Sequence, residues 1–241
     1  MSDAAPEGLA DGVLFRPVRN GNAFEDTVAR LLQTIRLGIV APGGALPPER
    51  ELAARFSVSR DTVREAIKSL SDAGFLVARR GRYGGTFVSE TLPTAAVPDA
   101  PPPTAAEIDD ILGLRDILEV GAARAAAARE LGATDRDLLW TRLAEVAAAS
   151  VDDYRRLDSR LHLTIAELVG TPSLVSLVAD NRTHVNQFLD GIPLLARNIQ
   201  HSNEQHEAIV VAILTGSPER AADAMSEHLA GSAALLRAFL G

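Results

Sequence analysis

The sequence predicts a mainly α-helical chain, built as an N-terminal winged helix-turn-helix followed by a six-helix antiparallel bundle. Three observations carry that expectation. Apolar residues make up 46% of the chain and aromatics only 4%, with Ala and Leu dominant, a composition suited to helix-on-helix cores. The segment from Thr91 to Pro103 holds five prolines, so neither a helix nor a central strand runs through it. Before that segment helix and strand patterns mix, whereas after it only helical periodicity recurs. The expected organisation is a flexible tail over 1–22, a winged helix-turn-helix over 23–90, a Pro-rich linker over 91–103 and an all-helical domain over 104–241.

In chain order, Phe24, Val28, Leu31, Leu32, Ile35 and Ile39 recur at helical spacing and stop at Pro42-Gly43-Gly44. A second short helix begins near Pro48 and buries Leu52, Ala53 and Phe56. Ser57-Val58-Ser59 forms a turn, and Ser59 is placed to cap a third helix that points Val63, Ala66, Ile67 and Leu70 inward. Gly74 closes that helix. Two β-like runs follow, Phe75 to Ala78 and Thr86 to Val88, joined by the basic, glycine-rich turn Arg79-Arg80-Gly81-Arg82-Tyr83-Gly84-Gly85, which reads as a hairpin wing.

Beyond the linker, helical patterns span about 104–130, 134–149, 151–169, 172–190, 193–215 and 218–239. Breaks at Gly132, Gly170-Thr171-Pro172, Gly191-Ile192-Pro193 and Gly216-Ser217-Pro218 separate most of them. Gaps this short favour antiparallel neighbours.

Composition also excludes several functions. The chain has no cysteine, so disulfides, thiolate metal clusters and Cys nucleophiles are absent. The first twenty residues lack the basic-then-apolar layout of a secretion signal, and charged residues break every apolar run before it reaches membrane-spanning length. A cytoplasmic location is expected. The net charge of -8 is unevenly spread. Residues 24–89 carry ten Lys and Arg against seven Asp and Glu, a balance of +3, whereas residues 91–241 carry twelve against twenty-one, a balance of -9. The cationic part is the part that reads as a helix-turn-helix, which points to a polyanionic partner.

Arg60, Arg64 and Lys68 stand at i, i+4 and i+8 on the third helix, on a different face from Val63, Ile67 and Leu70. One face packs and the other is free to read. A helix so placed lies in a DNA major groove, where an arginine bonds guanine O6 and N7 together. Arg60 and Arg64 are the candidate base readers. Arg50, Arg79, Arg80 and Arg82 are placed for phosphates. The runs Leu46-Pro47-Pro48-Glu49-Arg50-Glu51-Leu52-Ala53 and Val58-Ser59-Arg60-Asp61-Thr62-Val63-Arg64-Glu65-Ala66, then Gly74-Phe75-Leu76 and Gly84-Gly85-Thr86-Phe87-Val88, resemble the winged helix of GntR-family bacterial transcription regulators. The resemblance covers about residues 24–89. It implies a homodimer on a short, roughly palindromic double-stranded DNA operator, acting as a repressor, with Arg50, Arg60, Thr62, Arg64, Lys68, Arg80, Arg82, Gly84 and Gly85 as the DNA-contacting set. Tyr83 is one aromatic more than that wing pattern has.

Asp158 and His162 lie one helical turn apart beside the stripe Leu157, Leu161, Ile165 and Leu168. His206 shares a face with Ile209, Val210 and Ile213, and His228 with Ala221, Ala224 and Met225. Burying four such groups separately is costly, and convergence on one divalent cation inside the bundle is an economical alternative. A single histidine on an apolar face more often serves as a hydrogen-bonded core residue, so the residues alone leave both readings open. The C-terminal part resembles the all-helical FCD-type ligand-binding domain of the FadR-like branch of GntR regulators over about residues 104–239. That resemblance implies Asp158, His162, His206 and His228 as metal ligands, with zinc first and nickel, manganese or iron as alternatives. Three His and one Asp leave room on a five- or six-coordinate ion for an anionic oxygen donor, so a small organic acid is the expected effector; the resemblance adds Arg115 as its second anchor unless Arg115 simply pairs with Glu119. Five residues separate His201 from His206, a rotation of about 140°, so His201 falls outside the set, as does His184. The competing readings are a metal-dependent enzyme with an appended DNA-binding domain and a DNA-binding dimer with a purely structural metal. No phosphate loop, G-x-S-x-G elbow or H-E-x-x-H helix is present, nor any general base beyond the ligands themselves.

Overall fold

The computed structural model describes residues 23–81, 84–93, 103–190 and 196–240, apart from the side chains of residues 25, 196, 197 and 239. The expected tail over 1–22 and most of the linker, residues 94–102, lie outside the described residues, as do Arg82 and Tyr83. The chain divides into two compact units between residues 96 and 97.

The first unit contains α1 (Ala23–Arg36), α2 (Glu49–Phe56), α3 (Arg60–Asp72), β1 (Leu76–Arg79) and β2 (Gly85–Val88). Helix α1 ends three residues before the expected Ile39. Gly38 takes a left-handed φ of 70°, which lets Gly38 N–H donate to Ile35 O at 3.1 Å and Ile39 N–H donate to Thr34 O at 3.0 Å, a helix-terminating pair. The turn between α2 and α3 uses the same device without glycine. Ser57 sits at φ 57°, Ser57 N–H donates to Ala54 O at 3.3 Å and Val58 N–H to Ala53 O at 3.1 Å. Ser59 then caps α3, its hydroxyl accepting from Thr62 N–H at 3.0 Å.

Strands β1 and β2 pair antiparallel, with Leu76 opposite Val88 and Arg79 opposite Gly85. Ala45 adds a bridge to Phe87. The core of this unit is Leu31, Ile35, Leu46, Leu52, Phe56, Val63, Ile67, Leu70, Leu76 and Val88, so the predicted inward stripes of α1, α2 and α3 meet the inner face of the hairpin.

The second unit is six helices: α4 (Ala105–Ala127), α5 (Ala133–Ala147), α6 (Val151–Leu168), α7 (Pro172–Leu189), α8 (Ala196–Leu214) and α9 (Pro218–Leu240). A capping box between Thr104 and Glu107 starts α4, Ser150 caps α6, and Pro172 begins α7. Helix α6 is packed against α4, α5 and α7, and every residue from Ser159 to Leu168 is buried. Of the two residues expected beside the core, His162 is buried within it, whereas Asp158 is half-buried at its border. The polar residues of this buried stretch are satisfied internally: Ser159 donates to Arg155 O at 2.8 Å, Thr164 to Arg160 O at 2.9 Å, and Arg160 pairs with Glu167 at 3.3 Å. Among the described residues no helix is long and apolar enough to cross a membrane.

Candidate metal centre and nucleic-acid interface

Packing of Val63, Ala66, Ile67 and Leu70 into the core turns the opposite face of α3 outward. Arg60, Arg64 and Lys68 are exposed there, and Arg50 is exposed on α2. Thr62 is half-buried, with its hydroxyl 2.8 Å from the Ser59 hydroxyl, so it is tied to the cap. Arg64 is held at two points, donating to Glu49 Oε2 at 3.1 Å and to Asp61 Oδ1 at 3.2 Å. In the wing, Arg80, Gly84 and Gly85 are exposed. A Cβ on Gly84 would stand 2.6 Å from Arg79 O, so the turn itself requires glycine there. Arg79 is structural as well as basic: its guanidinium lies 4.5 Å from the Phe87 ring centroid and 3.4 Å from Glu90.

Three helices bring the four acid and imidazole groups together. Asp158 and His162 come from α6, His206 from α8 and His228 from α9, and one donor atom of each lies within 4.8 Å of the others. All three histidines are buried. His206 Nε2 is 3.1 Å and His162 Nε2 is 3.8 Å from Asp158 Oδ1. The ring centroid separations are 5.4, 5.2 and 4.5 Å.

Neighbours set which ring nitrogen faces inward. His162 Nδ1 lies against Glu119 Oε2, and His228 Nδ1 is 3.2 Å from Gln205 Oε1. Each therefore turns its Nε2 toward the cluster, the arrangement by which outer groups orient metal-ligating imidazoles. His162 Nε2 and His206 Nδ1 are buried without a hydrogen-bond partner, which is costly for polar atoms in a core. Three inward nitrogens and a carboxylate oxygen, with orphaned lone pairs among them, fit a divalent cation.

A buried ionic network surrounds these groups. Arg182, fully buried, donates to Glu119 Oε1 and Oε2 at 3.1 and 3.2 Å and contacts Asp158 Oδ2. Arg115 donates to Glu119 at 3.2 Å and to the Ser232 hydroxyl at 2.8 Å. Two guanidinium groups thus balance two carboxylates. Burial on its own would raise the Asp158 pKa, but Arg182 foremost, then His162 and His206, outweigh it and hold the carboxyl well below its usual range. Glu119 behaves alike, burial being outweighed by Arg182, Arg115 and His162. Burial, reinforced by Arg182, pushes His162 down to about 4. Burial, reinforced by His206 and His162, lowers His228 well below the ordinary imidazole value. Near pH 7 the site thus offers ionised Asp158 and the neutral imidazoles of His162 and His228, the forms that bind metal.

The sequence reading missed Arg182 and Gln205, and saw Glu119 only as a neighbour of Arg115. Arg182 carried a signal: Val175, Val178, Ala179, Arg182 and Val185 form one helical stripe, and all five are buried. His201 is exposed beside Glu204, and exposed His184 meets Asp180 O at 3.0 Å, so neither joins the cluster. A surface groove between α5 and α8, lined by Trp140, Leu143, Ile199 and Glu207 among others, contains none of the four donors.

Comparison with known proteins matches both units. Residues 24–88 match the bacterial regulatory proteins of the gntR family, and residues 110–231 match the FCD domain. The HTH-type transcriptional repressor NanR of Klebsiella aerogenes is 30% identical over 257 residues, covering 98% of this chain and 94% of that protein. NanR of Salmonella schwarzengrund is 29% identical over 249 residues, covering 95% and 90%. The solved structure of E. coli McbR/YncC covers 90% of this chain and 97% of its own, with a TM-score of 0.56 at 18% identity, a likeness of fold. The chain therefore belongs to the GntR family of bacterial regulatory proteins, with a winged helix-turn-helix at its N-terminal end and an FCD domain at its C-terminal end.

Proposed function

We propose that this protein is a cytoplasmic, homodimeric transcription repressor of the FadR-like branch, whose affinity for a roughly palindromic operator is set by a small organic acid bound at a divalent metal site. Asp158, His162, His206 and His228 hold the ion, and the observation that carries the reading is their convergence with buried, unpartnered ring nitrogens. A nitrogen-rich set with one carboxylate favours zinc, with nickel, manganese or iron as alternatives. When bound, the ion supplies an electrophilic centre for an anionic oxygen donor. The chain does the rest. Glu119 and Gln205 orient the imidazoles, Arg182 fixes Asp158, and burial keeps bulk water from competing.

The carboxylate of the effector binds the ion, with the Arg115 guanidinium, which also pairs with Glu119, as its second anchor. Because the ligands come from α6, α8 and α9, a bound acid shifts the balance between arrangements of these helices, and operator affinity changes by a coupling of about 1–3 kcal/mol. At the operator, Arg60 and Arg64 read bases, while Arg50, Thr62, Lys68, Arg80, Arg82, Gly84 and Gly85 meet the backbone. The relatives named as repressors support the direction of control.

Elemental analysis of protein purified without added metal is the test. About one divalent ion per chain is expected, lost in His206→Ala and in His228→Ala, because removing one ligand leaves the rest mismatched. Equal metal content in the parent and in the double variant refutes the metal reading.

A further inference from the structure

Of the three basic side chains on the outward stripe of α3, only Arg64 is paired with acids among the described residues. Its two partners come from different places. Glu49 opens α2 and reaches across the helix crossing, fifteen residues away in sequence, and Asp61 lies in the first turn of α3. The side chains of Glu49, Arg64 and Asp61 are 32, 57 and 85% exposed, and ion pairs this exposed add little to stability. Fold stability thus gives no reason for two carboxylates on one guanidinium.

Recognition gives one. A guanidinium presents five N–H donors in a fixed plane. One hydrogen bond from each terminal nitrogen goes to the acids, leaving the Nε–H and the second hydrogen of each terminal nitrogen for DNA. A free arginine at a groove edge is drawn to the nearest phosphate, whatever the base sequence. Two carboxylates beside the guanidinium repel a phosphate, yet leave the neutral acceptors O6 and N7 of guanine accessible. They also restrict a long side chain that otherwise loses its freedom on binding.

We propose that Glu49, assisted by Asp61, is a specificity-determining positioning residue: it clamps Arg64 for base reading and keeps it from collapsing onto the phosphate backbone. This rests on the assignment of Arg64 as a base reader. The clamp lowers affinity for DNA of arbitrary sequence and raises the contrast between operator and background, which is the quantity that governs occupancy.

The experiment compares the full-length parent with Glu49→Gln, Asp61→Asn and Arg64→Ala. Binding is measured to a mapped operator and to a random-sequence duplex of equal length at one salt concentration, with melting temperature as the control for folding. Glu49→Gln is expected to bind the random duplex about threefold to tenfold more tightly, and the operator-to-random ratio to fall about tenfold. Asp61→Asn should act in the same direction, so the clamp remains testable if either variant is unstable. Arg64→Ala should lose operator affinity and discrimination together. If Arg64→Ala does so while both amide variants keep the parent's ratio, the clamp is overturned and the base reader stands. If Arg64→Ala itself changes nothing, both fall.

Discussion

Replacing Arg182 with methionine probes the buried charge network around the candidate metal site. The guanidinium is fully buried between Glu119 and Asp158, with hydrogen bonds of 3.1 and 3.2 Å to the first and direct contact with the second. Methionine retains much of the apolar stem's packing but leaves Asp158 without a cation and Glu119 with Arg115 alone. Removing one partner of a buried pair costs about 3–5 kcal/mol, and here two carboxylates are affected, so the upper part of that range is expected. At about 2–4 °C per kcal/mol for a chain of this size, melting should drop by more than about 8 °C.

The assay is urea unfolding of chelator-treated protein, followed by circular dichroism at pH 7.5 and pH 4.5. In the parent, both carboxyls have folded pKa values below their unfolded ones. They therefore contribute stability above the unfolded values near 4 and lose it as pH falls through the folded ones. In the variant the strongest lowering influence is gone, so the acids take up protons earlier and the penalty is relieved. The difference between parent and variant should be widest at pH 7.5 and narrow toward pH 4.5. A difference below about 1 kcal/mol, or one that is the same at both pH values, would refute the reasoning.

Acidification bears separately on His162, whose folded pKa near 4 lies below the ordinary imidazole value of about 6.5. Its burial contributes stability in full above about pH 6.5 and loses it as pH falls toward 4, so metal-free protein should melt lower at pH 5.5 than at pH 7.5; a rise in melting temperature on acidification contradicts this. Gly84→Ala places a Cβ 2.6 Å from Arg79 O, which displaces the hairpin turn. Affinity for operator and random duplex should then fall together by about severalfold with little change in their ratio, whereas unchanged affinity for both would exclude the wing from the interface. Ser57→Gly relieves a left-handed residue at φ 57°, worth about 1 kcal/mol and partly offset by glycine's freedom in the unfolded chain. A small upward shift in the unfolding midpoint of the first unit is expected, and a downward shift counts against strain at that turn.

How much of this could be read in advance depended on whether a residue's partner lay nearby in sequence. The Ser59 cap, the inward stripe of Val63, Ile67 and Leu70, and the hairpin are local, and periodicity and turn chemistry reveal them. The stop of α1 at Arg36 was missed because the apolar spacing continues to Ile39, while the hydrogen bonds around Gly38 end the helix first. On α6, Ser159, Arg160, Thr164 and Glu167 are polar yet buried, and local spacing cannot show that a polar side chain finds its partner inside the core.

The sequence by itself determined the fold class, the helical periods on either side of a proline-rich segment, the basic stripe of α3, and the residues whose chemistry suits a metal. Tertiary structure alone decided that Asp158, His162, His206 and His228 meet from three helices, that Arg182 and Glu119 lock around them, and that Glu49 reaches Arg64 across the helix crossing. The physical reason is range. Backbone hydrogen bonding and side-chain period act over a few residues, whereas pairing between charges far apart in sequence exists only once packing brings their helices together and removes the water between them.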